Sequence, residues 1–337
     1  MNPELRAVAH RCLTQLTELR SEHSVLVVTD DDTHAIGEVF ADAAAPLARQ
    51  VNLMRMATLT KHGQEPPADV AAAMIRSDVI VQAVKFSLTH TDATRAALAR
   101  NAQVFVLRGA TEEMLLSDIL RVDFDELKRV TRVVAERLSR GANVTVTTPL
   151  GTDLRFSVVG RQARALAGGT GPGRFGGPRS GEAAIAPLEG TAQGTVIIEH
   201  SMDNLGLLDG PIELTLRDGR VSAITGGRSA SELRALLAAS DDNATNLAEF
   251  AVGTNPNARL TGNLATDKKV RGSAHVALGD SLSLGGAVVS DVHLDGMLLN
   301  PTVLVDGAPV VVAGELVLDS PPATVAIAGT RSLGGTP

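Results

Sequence analysis

His293 and Asp295 in "SDVHLDG" are separated by one residue, so on an extended strand both side chains project to one face and can meet the same ion. His275 lies in a second extended run, "SAHVALG", and the turn-forming "GDSLSLGG" between them can fold the two runs side by side. Two carboxylates add to the set. Glu182 follows Gly181 directly after a Gly-rich stretch, and Glu249 sits in the otherwise apolar "LAEFAVG", where burying its charge demands a cation or a donor. Two chemistries suit these residue types. A pair of zinc, manganese or cobalt ions would polarise a carbonyl and acidify a bridging water, which is what amide hydrolysis needs. Equally, His275, His293 and Asp295 meet the count of a two-His, one-carboxylate iron(II) site with open positions for oxygen and a catechol-like substrate. The two glutamates have no stated job on one iron, so they tip the expectation toward the hydrolase and are catalytic candidates themselves. His90 in "SLTHTDATR" is a further candidate, a proton donor reaching the cleft from the first half of the chain, with Thr neighbours that cap the following helix.

The elements that must position these residues fall into two patterns. "SVLVVTDDDTHAIGEVFADAAAPL" reads as a buried β-branched strand, an Asp/Thr-rich cap and an apolar helix pattern. The unit recurs at "QVNLMRMA" with "PPADVAAAMIRS", at "DVIVQAVKF" with "THTDATRAALARN", and at "AQVFVLRG" with "TEEMLLSDIL". Strands alternating with helices imply a parallel sheet covered on both faces. The amphipathic "DFDELKRVTRVVAERLSRG" then reads as one linking helix. Beyond it come short alternating runs broken by Gly, Asp-Gly and Pro, from "NVTVTTPLGTDLRFSVVG" to "TVLVDGAPVVVAGELV" and "ATVAIAG", the signature of hairpins. One helix, "SASELRALLAAS" continued through "NATNLAEFAVG", is expected to interrupt them and to place Glu249 near its end at Gly253. The expected fold is thus an N-terminal parallel-sheet α/β domain over residues 1–140 and a C-terminal β-rich metal-binding domain over 141–337. The Gly-rich "AGGTGPGRFGGPRSGEAAIAP" has no Gly-Lys-Ser/Thr ending and no helix context for a phosphate loop, and reads as a lip over a site or a connector.

Composition narrows the partners. At 337 residues the chain exceeds one ordinary core, consistent with two domains of about 100–200 residues each. A net charge of −7 and the lack of Trp and Tyr offer neither a basic field nor the best stacking platforms, so nucleic acid is not an expected partner. No run reaches the roughly 18 apolar residues of a spanning helix, so membrane insertion is not expected. The N-terminal "MNPELRAVAHRCLTQLTELRSEHS" has no apolar signal core and the single Cys12 can form no internal disulfide, so a reducing, cytoplasmic setting is expected. Cys12 has no evident activating partner and is expected to fill the apolar stripe of the first helix.

Taken in order, "GTDLRFSVVGR", "SGEAAIAPLEGTAQG", "AEFAVGTNPNARL", "DKKVRGSAHVALGD", "LGG" and "SDVHLDG" resemble the aminopeptidase T family of metallopeptidases. With "VVTD", "SDVIV" and "SLTHT" the resemblance covers nearly the whole chain. The same superfamily includes leucyl aminopeptidase-like proteins and a ring-opening iron enzyme, 2,5-dihydroxypyridine 5,6-dioxygenase. The resemblance implies a homodimer and a dinuclear metal site in the second domain facing a cleft against the first, with Glu182, Glu249, His275, His293 and Asp295 matching the peptidase ligands. One ligand does not carry over: the peptidases have a Tyr where this chain has Leu282, with Asp280 nearby as a substitute ligand or base. The resulting expectation is an aminopeptidase-like hydrolase of a small peptide or amide using a divalent metal (Zn, Mn or Co). The alternatives are an Fe(II) ring-cleaving dioxygenase acting on a small molecule and a non-catalytic relative.

Overall fold

Residues 2–318 are described by the computed structural model; the expected strand "ATVAIAG", at 323–329, lies outside them. The first half alternates α1 (Pro3–Leu16), β1 (Ser24–Asp30), α2 (His34–Ala44), β2 (Gln50–Met56), α3 (Ala68–Ile75), β3 (Val79–Ala83), α4 (Asp92–Ala99), β4 (Gln103–Val106), α5 (Glu112–Leu116) and α6 (Phe124–Arg140). The four strands pair in parallel in the order β2-β1-β3-β4. Alternation sends Val25, Val27, Val79, Val81 and Phe105 into one core with α1 and α2, and Leu26, Val28, Ile80 and Val104 into another with α3 and α4. Both faces are therefore apolar, as a helix-covered parallel sheet requires. The more polar β2 takes the exposed edge. Cys12 fills the α1 stripe as expected, and burial pushes its thiol up to about 12, out of nucleophilic range.

The linking helix forms where its periodicity places it. Asp123 caps α6 by accepting from the backbone N–H groups of Asp125 and Glu126, while Arg137 and Arg140 occupy the last turn, where the helix dipole favours cations. Its buried stripe serves both halves: Phe124 and Leu127 join the N-terminal core, while Val134, Ala135 and Leu138 join the core of the second half.

Those strands are β5 (Asn143–Thr147), β6 (Asp153–Ser157), β7 (Arg164–Leu166), β8 (Phe175–Gly176), β9 (Glu182–Ile185), β10 (Gln193–Ile198), β11 (Ser201–Met202), β12 (Gly206–Leu207), β13 (Ile212–Arg217) and β14 (Arg220–Gly226). After them come α7 (Arg228–Ala238), β15 (Leu247–Gly253), α8 (Leu264–Asp267), β16 (Ala274–Gly279), β17 (His293–Leu298), β18 (Thr302–Val305), β19 (Ala308–Val312) and β20 (Glu315–Leu316). An eight-stranded sheet, β14-β13-β10-β6-β5-β18-β19-β20, faces a seven-stranded one, β12-β11-β17-β16-β15-β9-β7. One core joins them, with Phe156 of the first sheet and Phe250 of the second at 5.3 Å between ring centroids.

The expected helical extension through "LAEFAVG" is corrected: α7 stops at Ala238 and residues 247–253 form β15. Asp241 accepts from the Asn243 N–H to turn the chain, and Asn246 donates to the Gly279 carbonyl, aligning the strand beside β16. All seven residues of β15 are buried, and an apolar run buried on both faces has no periodicity that separates strand from helix.

The Gly-rich segment ties the halves together. Its β8 adds to β4 in parallel as the fifth strand of the N-terminal sheet, although it lies beyond residue 141. A Cβ on Gly176 would stand 1.7 Å from the Gly169 carbonyl oxygen, so only glycine permits this approach. Asn255 is the second tie: its side-chain N–H groups donate to the carbonyls of Ile119 and Ser180, and its Oδ1 accepts from the N–H groups of Asn257 and Ala258. Gly181, at φ +123°, packs against it, with 2.7 Å from a would-be Cβ to the Asn255 Cβ. Asn255→Leu would strand four buried partners of similar shape and should cost about 2–4 kcal/mol in urea unfolding; an unchanged midpoint would show that the tie carries no weight.

Candidate metal centre

Period-2 alternation sorts the seven-stranded sheet. On one face Ala183, Ile185, Phe250, Val252, Val276, Leu278, Leu294 and Leu298 enter the sandwich core. The intervening positions, Glu182 of β9, Glu249 of β15, His275 of β16, and His293 and Asp295 of β17, share the opposite face. Register completes the grouping. Ala277 pairs with Glu249 on one side and Asp295 on the other, and His275 pairs with Ala251, so small side chains leave room between the polar ones. A register irregularity between Leu247 and Glu249 keeps both residues on their proper faces.

The atoms converge. His275 Nε2 lies 3.3 Å from Glu249 Oε1, 3.8 Å from Glu182 Oε2 and 3.9 Å from Asp295 Oδ1. His293 Nε2 lies 3.0 Å from Glu249 Oε2 and 3.4 Å from Asp295 Oδ1. Ligand atoms that sit about 2.0–2.2 Å from one ion are roughly 3–4 Å from each other, and among the described residues Glu249, His293 and Asp295 offer a set of ligand atoms within 4.8 Å of one another. Two carboxylate oxygens, Glu182 Oε2 and Asp295 Oδ1, are buried with no hydrogen-bond donor. His293 Nδ1 contacts the Asp280 carbonyl at 2.8 Å; donation there fixes the ring tautomer and frees Nε2 for coordination. These residues fit a divalent ion.

Electrostatics sets how the charge of the face is shared among its own groups. Burial raises the Glu249 carboxyl, but hydrogen bonds from His275 and His293 outweigh it and hold the group at about 2. Asp295 is likewise held below the usual carboxylate range: burial would raise it, but the adjacent His293 imidazole and the Lys268 charge outweigh burial. Burial lowers His293, yet Asp295 and Glu249 lift it to about 11, so near neutrality its proton takes the place of a cation. Two lysines after α8 complete the balance. Lys268 Nζ pairs with Asp295 Oδ2 at 2.5 Å, and Lys269 Nζ with Glu182 Oε1. The carboxylates of Glu182, Asp295 and Glu249 keep Lys268 raised against its burial, whereas burial wins at Lys269 and lowers it.

All five expected ligands are thus brought together; His90 and Asp280 do not join them, and neither does Leu282, which stands where the resemblance would place a Tyr. His90 is exposed; its neighbour Thr89 lines the adjoining cavity of about 440 Å³, and Thr91 caps α4. Leu282, on a 3-10 turn, is half exposed and is not among that cavity's walls. The Asp280 carboxylate accepts from the Leu282 N–H and so is turned to its own loop; the residue serves His293 through its backbone carbonyl. The residues that sequence reasoning missed are Lys268, Lys269 and Asp203, whose Oδ2 accepts from the Asp295 N–H. The "DKK" preceding a buried run was the available signal.

The same cavity lies between the metal face and the C-terminal end of β4, with Val106, Arg108, the Phe175–Arg179 segment, Asp203, Lys268, Lys269 and Asp295 in its walls. Three comparisons place the chain among known proteins. Residues 7–318 match the family model for 2,5-dihydroxypyridine 5,6-dioxygenase. The structure of 2,5-dihydroxypyridine dioxygenase from Pseudomonas putida KT2440 superposes with a TM-score of 0.76 at 19% identity, covering 93% of this chain and 96% of that one. Wild-type AmpT from Thermus thermophilus superposes with a TM-score of 0.67 at 16% identity over 93% and 99%. At these identities the two structures speak for the fold. No curated protein matches the chain. No described helix is long and apolar enough to cross a membrane.

A metal must displace the His293 proton, so binding should release about one proton per ion near neutral pH, and affinity should fall as pH falls. Calorimetry in buffers of different ionisation enthalpy reads this directly; a buffer-independent heat would remove His293 from the ligand set. His293→Ala and Glu249→Gln should each lower retained metal, by elemental analysis, with the fold intact.

Proposed function

Because the chain belongs to the 2,5-dihydroxypyridine 5,6-dioxygenase family, we propose that it is a non-haem iron(II) enzyme that opens a hydroxylated aromatic or N-heteroaromatic ring with dioxygen. The observation that carries this reading is the charge count of the site. Once His293 gives up its proton to coordinate, three buried carboxylates face two ammonium groups, leaving one negative charge for an ion to compensate. One divalent ion then leaves the site at a single positive charge, whereas two would leave it at three with Glu182 and Asp295 already engaged by lysines. Buried like charge in such excess is costly. The count supports one ion; Glu249, His293 and Asp295 lie within ligand spacing of one another, and His275, 3.3 Å from Glu249 and 3.9 Å from Asp295, adds the second imidazole of a two-His, carboxylate set with open positions. Iron(II) bound there would let electrons pass from the ring, which is the group oxidised, to dioxygen.

The chain's own groups do the rest. Glu249, ionised and set between the two imidazoles, holds their Nε2 atoms toward the centre. Lys268 keeps its charge at the cavity wall and can stabilise a ring hydroxylate, while Lys269, buried on Glu182, holds a proton at Nζ for the opened product. The Gly-rich segment supplies one wall of the cavity through Phe175–Arg179. The aminopeptidase-like reading expected from the sequence has less support, because it needs a second ion and the Leu282 position supplies no phenol. A homodimer and a cytoplasmic setting remain part of this proposal.

Anaerobically iron-loaded protein should consume oxygen with 2,5-dihydroxypyridine or a related hydroxylated ring, lose that activity on His275→Ala by at least ~100-fold, and leave aminoacyl-nitroanilides uncut. Leu282→Tyr should not create peptidase activity. Efficient dipeptide hydrolysis by the zinc-loaded wild type, with no oxygen uptake across a panel of hydroxylated rings, would overturn the reading.

A further inference from the structure

One wall of the cavity beside Asp295 has no job in the site as described. Arg108, two residues past the end of β4, and Arg179, in the Gly-rich segment after β8, both line it. Arg179 Nη2 donates to the Arg108 carbonyl oxygen at 3.4 Å, which brings the two residues side by side. Among the described residues neither guanidinium is paired with a carboxylate. Every other cation of that cavity is engaged: Lys268 on Asp295 and Lys269 on Glu182. Burial, and then the charge of Arg108, holds Arg179 below the usual guanidinium range, so the pair is an electrostatic cost that the protein itself does not offset. An arriving anion would offset it.

We propose that Arg108 and Arg179 bind a carboxylate carried by the substrate ring, so that the enzyme acts on an anionic, carboxylated hydroxy-aromatic or hydroxy-heteroaromatic compound. The ring chemistry rests on the function proposed above; the anion rests on the two arginines alone. Guanidinium forks match a planar carboxylate with paired hydrogen bonds. The volume of about 440 Å³ lies at the small end of ligand pockets and suits one substituted ring. Val106, Leu264 and the Phe175–Pro178 stretch give that ring an apolar surface, and Asp295 on the opposite wall sets its distance from the metal face. The position also follows the fold, since open parallel sheets bind ligands outside the carboxyl ends of their strands, here that of β4.

Benzoate and its uncharged isostere benzamide test the clamp without turnover. Calorimetric titration of the full-length, zinc-loaded protein should show benzoate binding at least ~10-fold tighter than benzamide. Arg108→Gln and Arg179→Gln should each erase that preference while retaining metal, and Arg179→Lys, which keeps the charge but loses the fork, should retain part of it. His293→Ala should leave benzoate affinity within about threefold, which separates guanidinium binding from ligation to the ion. Equal affinities for benzoate and benzamide, a preference that survives both Gln variants, or benzoate binding lost with His293 would each overturn the clamp. Tighter binding of inorganic phosphate than of benzoate would overturn the carboxylate assignment. Because no oxygen chemistry is read, failure of ring cleavage would leave this result interpretable.

Discussion

Three carboxylates on one buried sheet face cannot stay ionised without cations, and that requirement organises the rest of the molecule. Glu182, Glu249 and Asp295 are each nearly inaccessible to water. Their negative charge is divided among two lysines, two imidazoles and, when present, a metal. A core of this type is an expensive place to keep charge, and replacing such a cluster by apolar residues commonly stabilises a protein. The cluster therefore reads as a functional cost that the surrounding fold supports, and not as a device for stability.

Support comes from both sides of the sheet. Behind it, the sandwich core holds alternate residues of β9, β15, β16 and β17 rigid, so the polar set inherits a fixed spacing. In front of it, small neighbours keep the centre open: Ala184, Ala186 and Ala251 form a patch with Leu284, and Ala277 separates Glu249 from Asp295. The lysines are positioned by a different device. Asn255, through its backbone N–H on the Lys269 carbonyl and its side chain on Ser180 and Ile119, links the lysine-bearing loop to the segment before Glu182 and to the N-terminal half. The metal face, its compensating cations and the parallel sheet are thereby connected through one buried amide.

Much of this was legible in the chain. The His293–Asp295 spacing fixes a shared strand face whatever lies around it, and the "GDSLSLGG" turn does return β17 alongside β16, with His275 opposite Met297. The βα repeats gave the parallel sheet for the same reason, since strong periodicity is a local property. Glu249 was found by its chemistry but placed on the wrong element, because "LAEFAVG" is buried on both faces and carries no period. Leu282, which the family pattern set apart as a departure from the expected ligands, is half exposed and is not among the cavity's walls. Lys268, Lys269, Arg108 and Arg179 acquire meaning only from partners that tertiary structure brings near, Asp295 and Glu182 for the lysines and each other for the arginines. No local spacing encodes that.

The same sheet face can in principle serve a hydrolase or an oxygenase, and the difference lies less in which ligands are present than in what else claims their oxygens. Glu182 and Asp295 each have one oxygen on an ammonium and one oxygen with no donor. A bridging role between two ions would ask for both oxygens of a carboxylate, and the lysines hold one of each pair. Glu249 is the exception, with both oxygens directed at imidazole nitrogens, one at His275 and one at His293. That arrangement suits a group that orients two ring ligands around a single centre, because each oxygen is committed to a different histidine. Substituting the lysines would free two carboxylate oxygens at once and remove two positive charges, so the charge of this sheet face is balanced from the loop after α8 as well as from the strands that carry it.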